Sequence, residues 1–513
     1  MKFQDMIRTS VPRPNKFDRS HTRKMTMNGG VLAPCLIDEV LPGDDFRCTP
    51  EMMARLMPMV SPLMGRQNII LDWWYVPTRL LWDEFEKFIT GGVDGLSAPV
   101  HPFLRFGSGA NAVSQIFMRT GSLFDYFGLP VYDGVPAPTG SVDVNALPFR
   151  AYAMVWNENY RDQSLEADIA LSKASGQVVG AEATKIVGLR NRAWEKDYFT
   201  SAQFTAQRGP AAGVSVVSPN PANVSRLLSA ASGAVLPSQT LASDASGRLI
   251  GSPGLTQAKL EQDQKVMITD LRKANRVQLF AEKMQLSGAR FKEYLKHMWN
   301  EVSPDSRLQR PEHLGSSRSP IVISEVLSSV EFEDVGGNVP QGNMSGHGIS
   351  VSSSAGFRRR FPEHGYVLGL VSILPRTNYV GGFGDKFFIG RSSKFDYYTP
   401  DFAGLGEQPV ENIETGMDWT AATVRSTFGY QSRYCEYKFK NSTSVGQFRN
   451  SLAHWTDDRI FTSPATLNEN FIKAVPTKRF FAVTDEAQHS YLLQMHFNYS
   501  CIRKIPYFNE NRL

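Results

Sequence analysis

Two parts of the chain hold the residues best suited to recognition chemistry. Between Phe428 and Lys440, the sequence FGYQSRYCEYKFK interleaves Tyr430, Arg433, Tyr434 and Tyr437 with Lys438. Aromatic faces stack on bases and cations neutralise phosphates, so this mixture suits single-stranded nucleic acid. Tyr and Arg are equally the residues enriched where proteins meet, and the preferred reading of Tyr430, Arg433, Tyr434 and Tyr437 is a subunit interface. The second part is the N-terminus. Lys2, Arg8, Arg13, Lys16, Arg19, Arg23 and Lys24 stand against Asp5 and Asp18, so residues 1–24 alone account for the whole net charge of +5. A basic arm on a neutral body predicts a polyanionic partner, with a merely solvated terminus as the alternative. Arg503 and Lys504 are read as supporting DNA contacts behind these seven.

The search for catalytic chemistry is nearly empty. The sequence contains no GxxxxGK[ST] phosphate loop, HExxH zinc helix or GxSxG nucleophile elbow. Glycines 381, 382 and 384 precede no helical pattern and read as a loop. His489 and His496 are seven apart, which on a strand places them on opposite faces. The carboxylate pairs Asp44/Asp45 and Asp457/Asp458 are expected in solvated turns. No cofactor and no metal set are expected. Cys35, Cys48, Cys435 and Cys501 form no CxxC pair, and they suit a reducing cytoplasm in which a thiol acts as a small hydrophobe. No stretch reaches the ~18 apolar residues of a membrane span, and the first residues lack the apolar core of a secretion signal.

The elements that must position these residues are mostly strands. From Tyr491, YLLQMHFNYSC puts Tyr491, Leu493, Met495, Phe497, Tyr499 and Cys501 on one face, with Gln494, His496, Asn498 and Ser500 on the other. That alternation predicts a long half-buried strand. Arg479–Thr484 (RFFAVT) is predicted as its hairpin partner. Further strands are predicted at Asn68–Val76, Ile321–Leu327 and Tyr366–Leu374, the last apolar on both faces. Helices are predicted from Leu147-Pro148 through Tyr160, from Thr49-Pro50-Glu51, over Thr78–Phe88 and over Asp270–Ser287. The last carries Leu271, Ala274, Val277, Ala281 and Met284 on one stripe. Residues 210–265 are rich in Ser, Ala, Gly and Pro and read as a long surface insertion. The fold expected is mainly β, an antiparallel sandwich with large loop and helical insertions.

Several segments in this order resemble one family. FDRSHTRKMTMNGGVLAPCLIDEVLPGDDF (17–46), LDWWYVPTRLLWDEFEKF (71–88), LPFRAYAMVWNENYRDQS (147–164), KDYFTSA (196–202), SPDSRLQRPEHLG (303–315), HGYVLGLVSI (364–373), KFDYYTPDFAGLGEQPV (394–410), FGYQSRYCEYKFK (428–440) and the terminal PYFNENRL are similar to segments of Microviridae major capsid proteins, above all the gokushovirus-like branch. SPLMGRQN (61–68) and the 210–265 stretch have no counterpart in that resemblance.

The resemblance implies an eight-stranded antiparallel jelly roll that self-assembles into a T=1 icosahedral shell around circular single-stranded DNA, a structural role and not an enzymatic one. It implies a virion protein assembled in the host bacterial cytoplasm. Charge and composition add a basic arm (1–24) ahead of a single capsid domain (25–513), with 210–265 as a variable surface loop expected to meet a host receptor. A small internal DNA-binding protein and a pilot protein would be further partners. The competing readings are a receptor-binding, lectin-like β-sandwich adhesin and a carbohydrate-active β-sandwich enzyme.

Overall fold

The computed structural model describes residues 13–209 and 268–507, together with Ala242–Ser243 and Leu249–Ile250. Within those ranges it leaves out 94–95, 110, 134–139, 288–289, 291–292, 294, 298–301, 303, 328–331, 335–336, 340–343, 354, 382–384, 416–424 and 462. The loop expected at 210–265 thus lies outside the described residues but for those four. The chain forms two compact units, Met1–Ala206 with Gly288–Leu513, and Gln207–Ser287.

The larger unit is built on ten strands: β1 (Asn15–Asp18), β2 (His21–Met27), β3 (Ala33–Val40), β4 (Asp45–Leu56), β5 (Gln67–Pro77), β6 (Glu312–Leu327), β7 (Met344–Ser353), β8 (Phe357–Arg360), β9 (Gly365–Pro375) and β10 (Tyr491–Arg503). Their hydrogen-bonded order is β1–β10–β4–β7–β6–β5–β9–β3, an eight-strand antiparallel path, with β2 also on β10 and β8 also on β4. β6 belongs to both halves of the path. Its residues 312–321 pair with β5 and its residues 322–327 with β7, so the sheet curls over itself there. The curled faces enclose one core that includes Phe46, Trp73, Phe361, Phe497 and Tyr499.

β10 alternates as its sequence predicts, buried at Tyr491, Leu493, Met495, Phe497, Tyr499 and Cys501 and exposed at Leu492, Gln494, His496 and Asn498. β5 and β9 are buried at every residue. One of their faces joins the sandwich core, and the other meets a second cluster. That cluster contains Trp74, Val76, Leu368 and Leu370 with Phe149, Tyr152 and Trp156 of the predicted inner helix. The helix runs over Leu147–Val155, with Pro in its first turn and a π-helical continuation to Tyr160. Tyr152 pins it by donating to the Leu32 carbonyl at 2.9 Å. A strand apolar on both faces therefore marks a sheet covered on both sides, here by the opposite half of the sheet and by a helical layer.

Three expectations about local structure are corrected. Thr49-Pro50-Glu51 opens no helix but lies within β4, whose residues Phe46, Cys48, Pro50, Met52, Ala54 and Leu56 alternate inward. Pro50 falls where the neighbour of β4 changes from β7 to β8, a break in the ladder that suits a residue without an N–H. Arg479–Thr484 is a turn, not the partner of β10, which pairs instead with β4 and with β1 and β2. The turn is fixed by Lys478, whose Nζ donates to the carbonyls of Asp485, Glu486 and Gln488 at 2.7–3.2 Å. The segment 78–88 splits into a 3-10 turn, Thr78–Leu80, and a short helix, Phe85–Thr90.

In the smaller unit, a helix spans Ile268–Ser287 as predicted, but Leu271 and Val277 of its expected apolar stripe are exposed. All four cysteines are free and buried, and burial pushes the thiols of Cys35, Cys48 and Cys501 up to about 12, which leaves them protonated and inert.

The acidic pairs also differ from expectation. Asp44, Asp457 and Asp458 are buried rather than solvated. Burial, and after it the neighbouring Asp458, pushes the Asp457 carboxyl up to about 7, although Gln67 Nε2 donates to it at 3.4 Å. The nearby Arg479 guanidinium is committed to the carbonyls of Ala453, Thr456 and Asp458.

Two outcomes follow from this packing. A Cβ on Gly369 would lie 2.5 Å from the Trp73 ring and 3.1 Å from Cys35 Sγ. Gly369→Ala should therefore cost roughly 1–3 kcal/mol in urea unfolding, and Trp73→Leu should recover part of that. Asp457 is neutral in both folded and unfolded chains at low pH, so its penalty grows as pH rises from about 4 to about 7 and is constant above. Asp457→Asn should raise the melting temperature above pH 7, by the equivalent of up to a few kcal/mol, and change little near pH 4. A melting curve for the variant that tracks the native one at every pH would contradict this.

Candidate assembly surface and nucleic-acid interface

Sheet register decides where the N-terminal cations go. Lys2 and Arg8 lie outside the described residues, and Arg13 is exposed ahead of β1. From Asn15 onward the segment is not free chain but pairs with β10 through β1 and β2. Lys16 stands opposite Ile502 and Lys24 opposite Gln494, and both point to solvent.

Arg19, Arg23 and Arg503 are instead engaged within the subunit. Arg19 pairs with Asp38, which also accepts from Tyr499 Oη at 2.6 Å, and its guanidinium lies over the Tyr499 ring. Arg23 donates to the carbonyls of Cys35 and Tyr126. Arg503 pairs with buried Asp44 at 2.9 Å, donates to the Glu39 carbonyl at 2.5 Å and covers the Phe46 ring. Lys504 stays exposed beside Gly43. The structure thus brings Lys16 and Lys24 to one open surface and uses Arg19, Arg23 and Arg503 to fasten the sheet.

That open surface holds further cations that sequence reasoning missed. The outward positions of β4 and β8 add Arg47, Arg55, Arg358 and Arg360, all exposed. Arg358 stands directly opposite Arg47. The acidic residues in the same rows are Asp18, Asp45 and Glu51, and the ion pair formed there among the described residues is Arg358 with Asp45 at 3.6 Å. The signal was present as alternation in DFRCTPEMMARL, once that segment is read as a strand.

The basic–aromatic segment is divided between structure and surface. Tyr430 is half-buried and exchanges backbone hydrogen bonds with Gln203 at 2.8 Å. Tyr434 is buried in a left-handed conformation (φ 62°) and donates to the Phe395 carbonyl at 2.9 Å. Arg433 is half-buried, lies over the Tyr434 ring and donates to the same carbonyl at 3.4 Å. Of the four residues read as an interface, Tyr437 alone is largely exposed. Around it in the sequence, Phe387, Phe388, Tyr397, Tyr398 and Phe439 are each more than half exposed. The doublets KFF (386–388) and YY (397–398) were the available signal, since neighbouring side chains rarely face the same core.

The opposite-face reading of His489 and His496 is corrected: His489 lies ahead of β10, and both rings reach outward threonines on one face of β2. His489 meets Thr26 Oγ1 at 2.7 Å and His496 meets Thr22 Oγ1 at 3.1 Å. Among the described residues no group of three or more His, Cys, Asp or Glu side chains could hold a metal, and no helix is long and apolar enough to cross a membrane.

Comparison with known proteins gives one consistent family. The family model described as "Capsid protein (F protein)" matches residues 5–513. The chain is 31% identical to capsid protein VP1 of Chlamydia phage 1, over 98% of this chain and 96% of that protein. It is also 31% identical to capsid protein VP1 of Bdellovibrio phage phiMH2K, over 95% and 93%, and 27% identical to that of Spiroplasma virus 4, over 87% and 84%. These matches set aside the adhesin and carbohydrate-enzyme readings and agree with the resemblance to Microviridae capsid proteins. The chain belongs to the F capsid protein family and is a structural component of a phage virion.

Proposed function

We propose that the chain is the repeating subunit of a closed T=1 icosahedral shell around circular single-stranded DNA. The observation that carries the nucleic-acid part is the solvent-facing side of β1, β2, β10, β4 and β8. There Lys16, Lys24, Arg47, Arg55, Arg358 and Arg360 outnumber their acidic neighbours. Single strands held without base readout need such a cationic track, whose affinity comes from counterion release. Arg13 and Lys504 extend it, whereas Arg19, Arg23 and Arg503 act as ties within the subunit. Self-assembly is supported by the exposed aromatic rings of Phe387, Phe388, Tyr397, Tyr398 and Tyr437, since large apolar groups left in water mark contact sites. Closure follows when heterologous contacts of this kind return on themselves under rotation.

The two surfaces are separable by mutation. Phe387→Ser with Phe388→Ser should leave the subunit's melting temperature within a degree or two and sharply reduce the shell fraction in sedimentation, because interface aromatics typically contribute more than about 1 kcal/mol each. Normal shells from that variant would remove the aromatic rim from the assembly contact. Replacing Lys24, Arg47, Arg55 and Arg358 by Gln should preserve shells but flatten the salt dependence of oligo-dT binding. At about 0.7 per phosphate, four lost contacts reduce the log–log slope by roughly 3. An unchanged slope would move the genome contact off this sheet face.

A further inference from the structure

At the far end of β5 and β9, the chain places two arginines where they repel each other. The Arg376 N–H donates to the Arg66 carbonyl at 2.8 Å, just beyond the cross-strand pair Gln67–Pro375, so the two residues flank one strand end. Like charges on adjacent strands are destabilising. Both side chains are exposed, and neither guanidinium makes a hydrogen bond or ion pair among the described residues.

They open onto a cleft of about 320 Å³ whose wall also includes Arg318, Lys440, Phe439 and Asn68. The other cations of the cleft are already paired: Arg318 with Glu195, Lys440 with Asp385 at 3.4 Å and Lys196 with Asp162 at 2.8 Å. Asp197 is spent on Tyr379 Oη at 2.7 Å and on capping the 199–200 backbone. Two buried polar atoms on the wall, Asn68 Oδ1 and Thr377 Oγ1, lack a hydrogen-bond partner, and Asn68 is only 3% exposed. The cleft therefore has surplus positive charge and an aromatic ring, Phe439, that is 64% exposed at its edge.

We propose that this cleft binds one nucleotide unit of single-stranded DNA, with the phosphate held between Arg66 and Arg376 and the base stacked on Phe439. The volume is at the lower end for a small-ligand site. An anion between the two guanidinium groups converts their repulsion into a bidentate clamp. The exposed end of the 428–440 segment thereby gains a role that subunit contact does not explain. The ligand rests on the proposed shell around single-stranded DNA, but the site is distinct from the cationic sheet face.

The test uses the full-length protein, a fluorescent oligo-dT of ten nucleotides, and inorganic phosphate as competitor. Arg66→Gln with Arg376→Gln should weaken oligo-dT binding about tenfold at moderate salt and reduce the log–log salt slope by about 0.7, the value for one phosphate. The same variant should melt at the native temperature or above it, because repulsion has been removed; a merely structural pair would lower it. Phe439→Ala should weaken binding several-fold with the slope unchanged, as loss of stacking requires. Native affinity and slope in the arginine variant would overturn the site while leaving the genome reading intact, provided that the sheet-face variant is impaired. Full displacement of oligo-dT by low-millimolar phosphate would overturn it in favour of a small-anion site. Absence of oligo-dT binding by the native protein would overturn both readings.

Discussion

Residues 491–503 reach back across the whole sequence to pair with 45–56 on one side and with 15–27 on the other. Nearly everything else depends on that strand. Its inward residues Tyr491, Met495, Phe497 and Tyr499 close the sandwich core, and Trp73 packs edge-on against Phe497. Its outward residues form the middle of the cationic face. Contacts of such sequence separation are slow to form, because loop closure must precede any gain from pairing. The genome-facing surface proposed above therefore exists only once the last strand is in place. A subunit that is not yet complete has little to offer DNA.

The same dependence explains the guanidinium groups that proved not to be free. Arg19 with Asp38, Arg23 with the Cys35 carbonyl and Arg503 with Asp44 all tie the terminal strands to the 35–44 region. Each is a contact between segments whose pairing a linear charge count cannot see. The central strands carry an analogous tie. Asp72, buried within β5, accepts from Tyr160 Oη, Arg192 and Ser316 Oγ at 2.6–2.7 Å, which links the sheet to the helical layer and to β6. Removing one partner from such a network leaves a buried charge uncompensated, which costs more than the network contributes when intact.

These particulars show what could be read in advance. β10 was legible because one side of it faces water, so the pattern survives in the residue types. β4 has the same alternation, but Thr49-Pro50-Glu51 mimics a helix start and masks it; pairing with β10 and β7 overrides that local signal. RFFAVT has strand-forming composition, yet Lys478 gathers the nearby carbonyls into a turn instead. The basic and aromatic mixture of 428–440 is visible in the sequence, but not that Tyr434 is consumed in anchoring the 393–398 turn. Arg66 and Arg376 could not have been connected from the sequence, because only the β5–β9 register makes them neighbours.

Register also connects the two surfaces proposed to meet nucleic acid. Arg47 stands opposite Arg358 at one end of the curled sheet, and Arg66 flanks Arg376 at the other. Opposite charges at either place would stabilise the subunit by a few tenths of a kcal/mol or more, and like charges do the reverse. Sequences that fold well keep such conflicts few and concentrate them where function requires them. A subunit destined to meet a polyanion has a physical reason to keep both. The repulsion is present only while the cations face water, and a phosphate between them turns it into attraction. On the proposed reading each pair contributes more to the filled particle than to the free subunit, so that genome binding and shell stability are thermodynamically linked.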